Sequence, residues 1–300
     1  MRDDFDLAQK YTTERGQILL TGIQALVRIP LDQHRADLAR GLNTATFISG
    51  YQGSPLGTFD MALAQNQQLL SENDIVWVPG VNEDLAASAV WGSQEPLLGP
   101  LAAHDGVLGM WYGKGPGVDR SGDAFKHANF KGVAENGGVL ALAGDDPMAK
   151  SSTLPTQVDP SFYDSQMPIL YPGSIQEIID LGLHGFALSR YSGLWVGFKI
   201  VTTMADALGT AEVGPERVMP VLPELMIDGT LWKHQQQPGL VTPHSLGQEK
   251  DIVYGRLEAA KAYAAANGLN EITGASTGAW LGIAAAGRTF QELRQSLTDL

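Results

Sequence analysis

The amino-acid sequence predicts an α/β protein built on a doubly wound, mostly parallel sheet. Short apolar runs bounded by glycine, proline or acidic residues alternate with longer amphipathic segments along most of the chain. The composition, 44% apolar and 18% charged over 300 residues, is typical of a globular protein with a sizeable core. Because strands that alternate with helices form βαβ units, we expect helices on both faces of the sheet.

The composition also argues against several classes of protein. A formal net charge of -13 disfavours a nucleic-acid partner, because such binding depends on clustered lysine and arginine. Without cysteine, these residues hold no disulfide and no cysteine-ligated iron–sulfur cluster. No apolar run approaches the ~18 residues of a membrane span, and the acidic first residues are unlike a signal peptide. We therefore expect a cytoplasmic protein with no membrane partner.

The first elements are predicted as helices. Residues 12–28 place apolar side chains at helical spacing, Pro30 is expected to end this helix, and a second helical segment covers 31–40. The apolar run 44–49 then begins the sheet. It leads through the small-residue turn 50–57 into another helix, and such turns let a ligand approach the backbone closely.

The remaining strands are predicted from short apolar runs between turn residues. These runs are 74–79, 106–112, 137–143 and 194–201. A helix over about 175–188 precedes the last of them, and Ser174 can cap it.

The turn after the second strand carries the main candidate for chemistry. Asn82 is a preferred helix N-cap, and Glu83 and Asp84 follow it in the first helical turn. These carboxylates therefore lie just past the carboxyl end of a parallel strand, where open α/β sheets bind ligands. The alternative is that both acids only stabilise the helix N-terminus.

A glycine-rich segment with basic residues forms the second candidate. Residues 113–129 contain Lys114, Arg120, Lys126 and His127 in an otherwise acidic chain, which indicates a loop that faces an anion. An ordinary exposed loop is an equal alternative, because glycine-rich connections are common.

Two acidic residues follow the most strand-like run. Asp145 and Asp146 are predicted at the carboxyl edge of the sheet, near the site rather than on a remote surface. Residues 147–165 are irregular and polar, as expected of a loop over a site.

The domain organisation is predicted in three parts. Residues 1–211 form the sheet domain, 212–250 a linker, and 251–300 the start of a second α/β domain. The elements predicted there are a helix over 253–266, a strand over 278–286 and a helix from Thr289. One βα step is too little to bury a sheet. We therefore expect a fragment, or a chain that borrows its missing core from a partner.

Five runs in order resemble the amino-terminal part of the indolepyruvate ferredoxin oxidoreductases, within the thiamine-diphosphate-dependent 2-oxoacid:ferredoxin oxidoreductases. The runs are 13–16, 50–57, 80–83, 111–120 and 144–147, the last followed by Ser151 and Ser152. The resemblance covers essentially the whole chain.

The resemblance implies that this domain holds the aminopyrimidine ring of thiamine diphosphate. Glu83 matches the family's glutamate that hydrogen-bonds this ring and serves in catalysis. Gly53 and Ser54 are further implied cofactor contacts. Ser54, beside Pro55, also falls where related pyruvate enzymes carry a Thr-Pro pair near the substrate.

The resemblance also implies a basic residue that pairs with the substrate carboxylate. Lys114, Arg120 and Lys126 are candidates by charge only, and His127 is a further candidate in the same segment, with a structural role equally open. No metal ligand is expected here. The magnesium and diphosphate are implied to bind a separate domain that this sequence lacks, and iron–sulfur clusters to lie elsewhere in the full protein.

The implied activity is oxidative decarboxylation of an aryl 2-oxoacid such as indolepyruvate to an acyl-coenzyme A, with electrons passed to ferredoxin. The chain is expected to need the rest of the enzyme or a partner subunit, to be inactive alone and to form a homo-oligomer. Two alternatives stay open: a non-oxidative thiamine-diphosphate 2-oxoacid decarboxylase, and a non-catalytic α/β assembly module.

Overall fold

A computed structural model describes residues 6–95, 102–236, 239–274 and 277–299. The strands in chain order are β1 (Gly16–Thr21), β2 (Thr44–Gly50), β3 (Ile75–Trp77), β4 (Gly106–Lys114), β5 (Val139–Asp145), β6 (Ile169–Leu170), β7 (Val196–Val201), β8 (Leu208–Val213), β9 (Met226–Ile227) and β10 (Thr230–Leu231).

The helices connect these strands and cover the sheet. They are α1 (Gln9–Thr12), α2 (Gly22–Ala39), α3 (Phe59–Gln65), α4 (Gln67–Glu72), α5 (Glu83–Gly92), α6 (Gly115–Arg120), α7 (Gly122–Lys131), α8 (Asp159–Asp164), α9 (Ile175–Ser192), α10 (Thr202–Ala205), α11 (His244–Asp251), α12 (Leu257–Ala266) and α13 (Gly287–Thr298). A π-helical turn, Ile252–Arg256, joins α11 to α12.

The central sheet confirms the predicted fold class. Its six strands are parallel and lie in the order β3-β2-β4-β5-β7-β6. The chain moves outward from β2 to β3 and then returns to the other side of β2 at β4, so the order reverses between β2 and β4. The five strands predicted within 1–211 are present, and the predicted Ser174 cap accepts a hydrogen bond from Glu177 N at 3.1 Å.

Two apolar cores lie on opposite faces of the sheet. Along β5, Leu140 and Leu142 point to the core that contains α2 and α9, whereas Ala141 and Ala143 point to the core of α5, α7 and α8. Successive side chains of a strand point to opposite faces, so a strand buried on both sides is apolar throughout.

The amino-terminal helix prediction is wrong in two respects. Residues 16–21 form β1, because this segment pairs antiparallel with β8, a partner nearly 200 residues later that no local pattern indicates. The helix α2 then continues through Pro30 to Ala39. Its neighbours Ile29 and Leu31 are fully buried, and this packing outweighs the backbone hydrogen bond that the proline removes.

The prediction of a loop over 113–129 is also wrong, whereas the proposed role of its basic residues stays a prediction. Lys114 ends β4, and the segment after it forms the short helices α6 and α7. Pro116 lies in the first turn of α6, where its missing N–H costs no helical hydrogen bond.

The helices and strands after residue 211 differ from those predicted. The predicted linker contains the hairpin β9–β10 and the helix α11, while Gln237 and Pro238 lie outside the described residues. Residues 278–286 form no strand, and Trp280 within them is 90% exposed. Helix α12 packs on α9, and Tyr263 Oη lies 2.9 Å from His184 Nδ1. The helix expected from Thr289 is α13, and the domain boundaries stay a prediction.

No helix within the described ranges is both long enough and apolar enough to cross a membrane.

Candidate active site

The candidate site lies at the carboxyl ends of β2 and β4, where the strand order reverses, the position at which doubly wound sheets form their ligand crevice. Tyr51 N donates to Tyr112 O at 3.0 Å, and Gly80 N donates to Gly50 O at 2.8 Å. The first bond holds the segment after β2 against β4, and the second holds the segment after β3 against the end of β2. In doubly wound sheets this position is the one that binds ligands.

Glu83 enters the crevice as the first residue of α5. The predicted cap is confirmed, because the Asn82 side chain accepts a hydrogen bond from Leu85 N at 2.9 Å. Trp111 Nε1 donates to Glu83 O at 2.9 Å, which anchors this helix end to β4. The backbone that carries the Glu83 side chain is therefore fixed from two sides.

The Glu83 side chain lies against the backbone of α6. A Cβ atom built on Gly117 would lie 2.6 Å from Glu83 Cγ and 2.9 Å from Oε1, so only glycine leaves room for this carboxylate. Within the part of the chain that the structure describes, the Glu83 carboxylate has neither an ion pair nor a hydrogen bond. It is half-buried and available to a ligand.

The neighbouring acid has a different environment. Asp84 Oδ1 accepts a hydrogen bond from Arg120 Nε at 2.9 Å, and both side chains are largely exposed. Arg120, one of the predicted carboxylate partners, is thus already paired with a carboxylate of the protein.

Lys114 is the predicted basic residue that the structure brings beside Gly53. A Cβ atom built on Gly53 would lie 2.9 Å from Lys114 Cδ, so the lysine stem crosses the glycine at close range. Lys114 is half-buried and forms no ion pair with any described residue.

The other two basic candidates lie on α7 and already have acidic neighbours. Lys126 Nζ lies 2.5 Å from Asp164 Oδ2, and His127 Nδ1 lies 3.3 Å from Asp123 Oδ1. Both side chains are about half exposed. The structure therefore separates Lys114 from the rest of the predicted basic group.

Ser54 joins the crevice to the loop after β5. Its Oγ donates to Ser151 Oγ at 2.5 Å. Ser151 donates to Asp146 Oδ2 through its N at 2.8 Å and its Oγ at 3.2 Å. Burial raises the pKa of Asp146, but hydrogen bonds from the backbone of Ser151 and Lys150 outweigh burial and hold this pKa below its ordinary value.

The predicted position of Asp145 and Asp146 at the carboxyl edge is confirmed, since Asp145 ends β5 and both are buried. Lys199 Nζ lies 3.0 Å from Asp145 Oδ2 and 2.6 Å from Asp159 Oδ2. Burial lowers the pKa of Lys199, but the bonds to Asp159 and Asp145 outweigh it and raise the pKa above its ordinary value. Thr156 Oγ1 also donates to Asp145 at 2.8 Å.

The cluster of Lys199, Asp145 and Asp159 borders a cavity of about 460 Å³. Its lining residues are Pro147, Pro155, Thr156, Gln157 and Lys199. Sequence reasoning missed Lys199 and Asp159, although a lysine inside an apolar strand is a usable signal, because a buried lysine needs an acidic partner.

The described ranges contain no group of three or more His, Asp or Glu residues that could hold a metal ion.

No family model matches this chain. The indolepyruvate oxidoreductase subunit IorA of Methanothermobacter marburgensis is 24% identical over 286 residues, which cover 95% of this chain and 41% of that subunit. The IorA subunit of Archaeoglobus fulgidus is 25% identical over 268 residues, 88% of this chain and 40% of that subunit. The chain is similar to IorA subunits.

This similarity confirms the resemblance stated from the sequence. The chain spans about two fifths of the length of these two relatives. The structure is also similar to the 2-oxoglutarate:ferredoxin oxidoreductase from Magnetococcus marinus with 2-oxoglutarate, coenzyme A and succinyl-CoA bound. The TM-score is 0.61 at 14% identity, over 95% of this chain and 52% of the other. This second likeness supports the fold.

Proposed function

We propose that this chain forms the pyrimidine-binding wall of the active site in a thiamine-diphosphate-dependent 2-oxoacid:ferredoxin oxidoreductase. The observation that carries the proposal is Glu83, a carboxylate without a partner among the described residues, at the reversal point of a doubly wound sheet. Its position matches the family's catalytic glutamate, and the similarity to IorA subunits supports the same family.

The residues of the crevice fit the pyrimidine half of the cofactor. A flat ring with nitrogen atoms at its edge needs a hydrogen-bonding carboxylate and walls without protruding side chains. Glu83 supplies the first. Gly117 leaves room for the Glu83 side chain, and Gly53 lets the Lys114 stem cross at close range, so both glycines allow these side chains to reach the crevice. When bound, thiamine diphosphate supplies a nucleophilic carbon and an electron sink for decarboxylation. The part of Glu83 is to hold a proton at the ring edge and so act as the general acid–base group.

Other parts of the cofactor machinery do not fit this chain. The sequence contains no cysteine, so the iron–sulfur clusters of the electron path have no thiolate ligands here. We assign the magnesium, the diphosphate and the clusters to the rest of the enzyme or to a partner subunit. In the same proposal, a second α/β domain begins near residue 251, and the enzyme is a cytoplasmic homo-oligomer.

The substrate we propose is an aryl 2-oxoacid, as the name of the IorA relatives suggests. Lys114 is the best partner for its carboxylate, because Arg120 and Lys126 already pair with Asp84 and Asp164. Coenzyme A and ferredoxin complete the reaction as acyl and electron acceptors. The structural neighbour is itself a ferredoxin oxidoreductase with coenzyme A bound.

The test uses the complete enzyme that contains this chain, with thiamine diphosphate and magnesium. Indolepyruvate, phenylpyruvate, pyruvate and 2-oxoglutarate are compared by viologen reduction in the presence and absence of coenzyme A. We expect coenzyme A-dependent reduction that is fastest with the aryl acids. Release of an aldehyde without electron transfer would favour the non-oxidative decarboxylase. Absence of both cofactor binding and decarboxylation would favour the assembly module.

A further inference from the structure

The hydrogen bonds that end at Asp146 have a fixed direction. Its carboxylate is buried, and each oxygen faces a backbone N–H, Lys150 N at 3.0 Å from Oδ1 and Ser151 N at 2.8 Å from Oδ2. A backbone N–H can only donate, so both oxygens must accept. The carboxylate is therefore a fixed acceptor at this end of the network.

This fixed acceptor determines the role of the next hydroxyl group. Ser151 Oγ lies 3.2 Å from Asp146 Oδ2 and donates its only proton there, because this oxygen can only accept. Towards Ser54 it can then only accept. Ser54 Oγ, at 2.5 Å, donates its own proton to Ser151, and its remaining capacity towards the crevice is that of an acceptor.

We propose that Ser151 is a positioning residue that turns the Ser54 hydroxyl proton away from the crevice, with Asp146 as the fixed acceptor behind it. Ser54 consequently accepts a hydrogen bond from an N–H or O–H group of a molecule in the crevice. A substrate carboxylate is an acceptor only, so it binds to Lys114 and not to Ser54. The identity of these molecules rests on the proposed function.

The donor that Ser54 accepts from belongs to the cofactor or to the substrate. Two measurements separate these sources. The Kd of thiamine diphosphate for the complete enzyme, measured by calorimetry without substrate, reports on a donor group of the cofactor. The KM for the 2-oxoacid reports on a substrate donor.

Ser151 is a better test position than Asp146. An amide in Asp146→Asn would set an NH₂ group against one of the two backbone N–H groups and disturb the loop itself. Ser151→Ala removes one hydroxyl, Ser151→Thr keeps it, and Ser54→Ala removes the group that Ser151 is proposed to orient. Ser161→Ala is the matched control, because Ser161 donates a short, exposed hydrogen bond to Asp119 at 2.6 Å.

The expected result is a double-mutant cycle without additivity. Ser151→Ala weakens cofactor binding or raises KM by about 3- to 10-fold, the scale of one hydrogen bond, whereas Ser151→Thr and Ser161→Ala stay near the parent. In the Ser54→Ala background, adding Ser151→Ala changes the same quantity by less than about twofold, because the two residues act in series.

Two outcomes would overturn the inference. If the effects of Ser54→Ala and Ser151→Ala multiply in the double variant, Ser151 acts on the loop and not through Ser54. An unchanged Kd and KM in Ser151→Ala would mean that the network does not orient anything used in binding. Absence of 2-oxoacid turnover in the parent enzyme counts against the proposed function, while the cofactor-binding cycle still decides whether Ser151 acts through Ser54.

Discussion

Asp37 at the amino edge of the sheet and Glu83 at the carboxyl edge have opposite environments. At the amino edge, Asp37 accepts hydrogen bonds from Arg190 Nη1 at 2.8 Å, Arg190 Nη2 at 2.6 Å and Thr44 Oγ1 at 2.7 Å. At the carboxyl edge, Glu83 and Lys114 have no ionic partner among the described residues. A buried charge that loses its partner destabilises the fold, whereas a charge without a partner in the protein is available to a ligand.

Cavity size alone does not show which edge of the sheet binds a ligand. A cavity of about 1050 Å³ lies at the amino edge, larger than the one beside Lys199. Its lining includes Arg190 and Glu95, whose charges are paired with Asp37 and Lys131, and also Arg40, Glu135 and Lys233, which form no ion pair with any described residue. Neither cavity size nor an unpaired charge therefore identifies the site without its position in the sheet. The position of unpaired charge at the reversal point is the better guide to the site.

The largest expected effect is loss of stability at the amino edge. In Asp37→Ala the half-buried Arg190 guanidinium loses its bidentate partner, and we expect the free energy of unfolding to fall by about 3–5 kcal/mol. Urea unfolding followed by circular dichroism measures it. Asp123→Ala, at an exposed acid on α7, is the control and should change stability little.

The pH dependence of stability provides a second check on Asp37. Burial raises its pKa, but the hydrogen bonds from Arg190 outweigh burial and hold the pKa below its ordinary value. The native state therefore binds this proton less readily than the unfolded state. The stabilisation is present above the ordinary pKa of about 4 and is lost as the pH falls through the lower native value. Asp37→Asn should lose less stability than the parent between pH 5 and pH 3.

At the carboxyl edge the expected effect is on activity and not on stability. Glu83→Gln in the complete enzyme should lower turnover by about two orders of magnitude or more, the scale of a lost general acid–base group. The unfolding free energy should stay near that of the parent, because the carboxylate has no partner within the described ranges. Equal turnover in variant and parent would show that Glu83 only stabilises the start of a helix.

A smaller effect is expected from crowding Glu83 without changing it. The Cβ of Gly117→Ala would lie 2.6 Å from Glu83 Cγ and force the side chain aside. We expect turnover to fall on the order of tenfold, since small displacements of a catalytic group are costly. Gly122→Ala, at the start of α7, is a matched control, because its Cβ would meet nothing within 4 Å. A similar loss in both variants would point to a general effect of added side chains.

Local signals explain what the sequence predicted correctly. The run Val139–Asp145 is apolar because both faces of its strand are buried, and Asn82 caps α5 through a bond to a residue only three positions away. The contact between Glu83 and Gly117 joins residues far apart in the chain, and so does the pairing of β1 with β8. Such long-range contacts leave no periodic pattern, so the strand β1 within the helix predicted over 12–28 and the choice among the basic residues both needed the structure.

The smallest expected effect separates Glu83 from the acid beside it. Asp84 and Arg120 form an exposed pair with Nε and Oδ1 at 2.9 Å, and exposed pairs contribute about 0.2–1 kcal/mol to stability. Asp84→Asn and Arg120→Met should each lower the unfolding free energy by no more than this and change turnover less than about twofold. The loss should shrink further in 1 M salt, where the Debye length is about 3 Å. If Arg120→Met instead raised the KM for the 2-oxoacid by tenfold or more while Lys114→Met left it unchanged, the substrate carboxylate would bind Arg120. Asp84 would then be a partner that the substrate displaces, and pairing within the protein would no longer identify the unused charges of this edge.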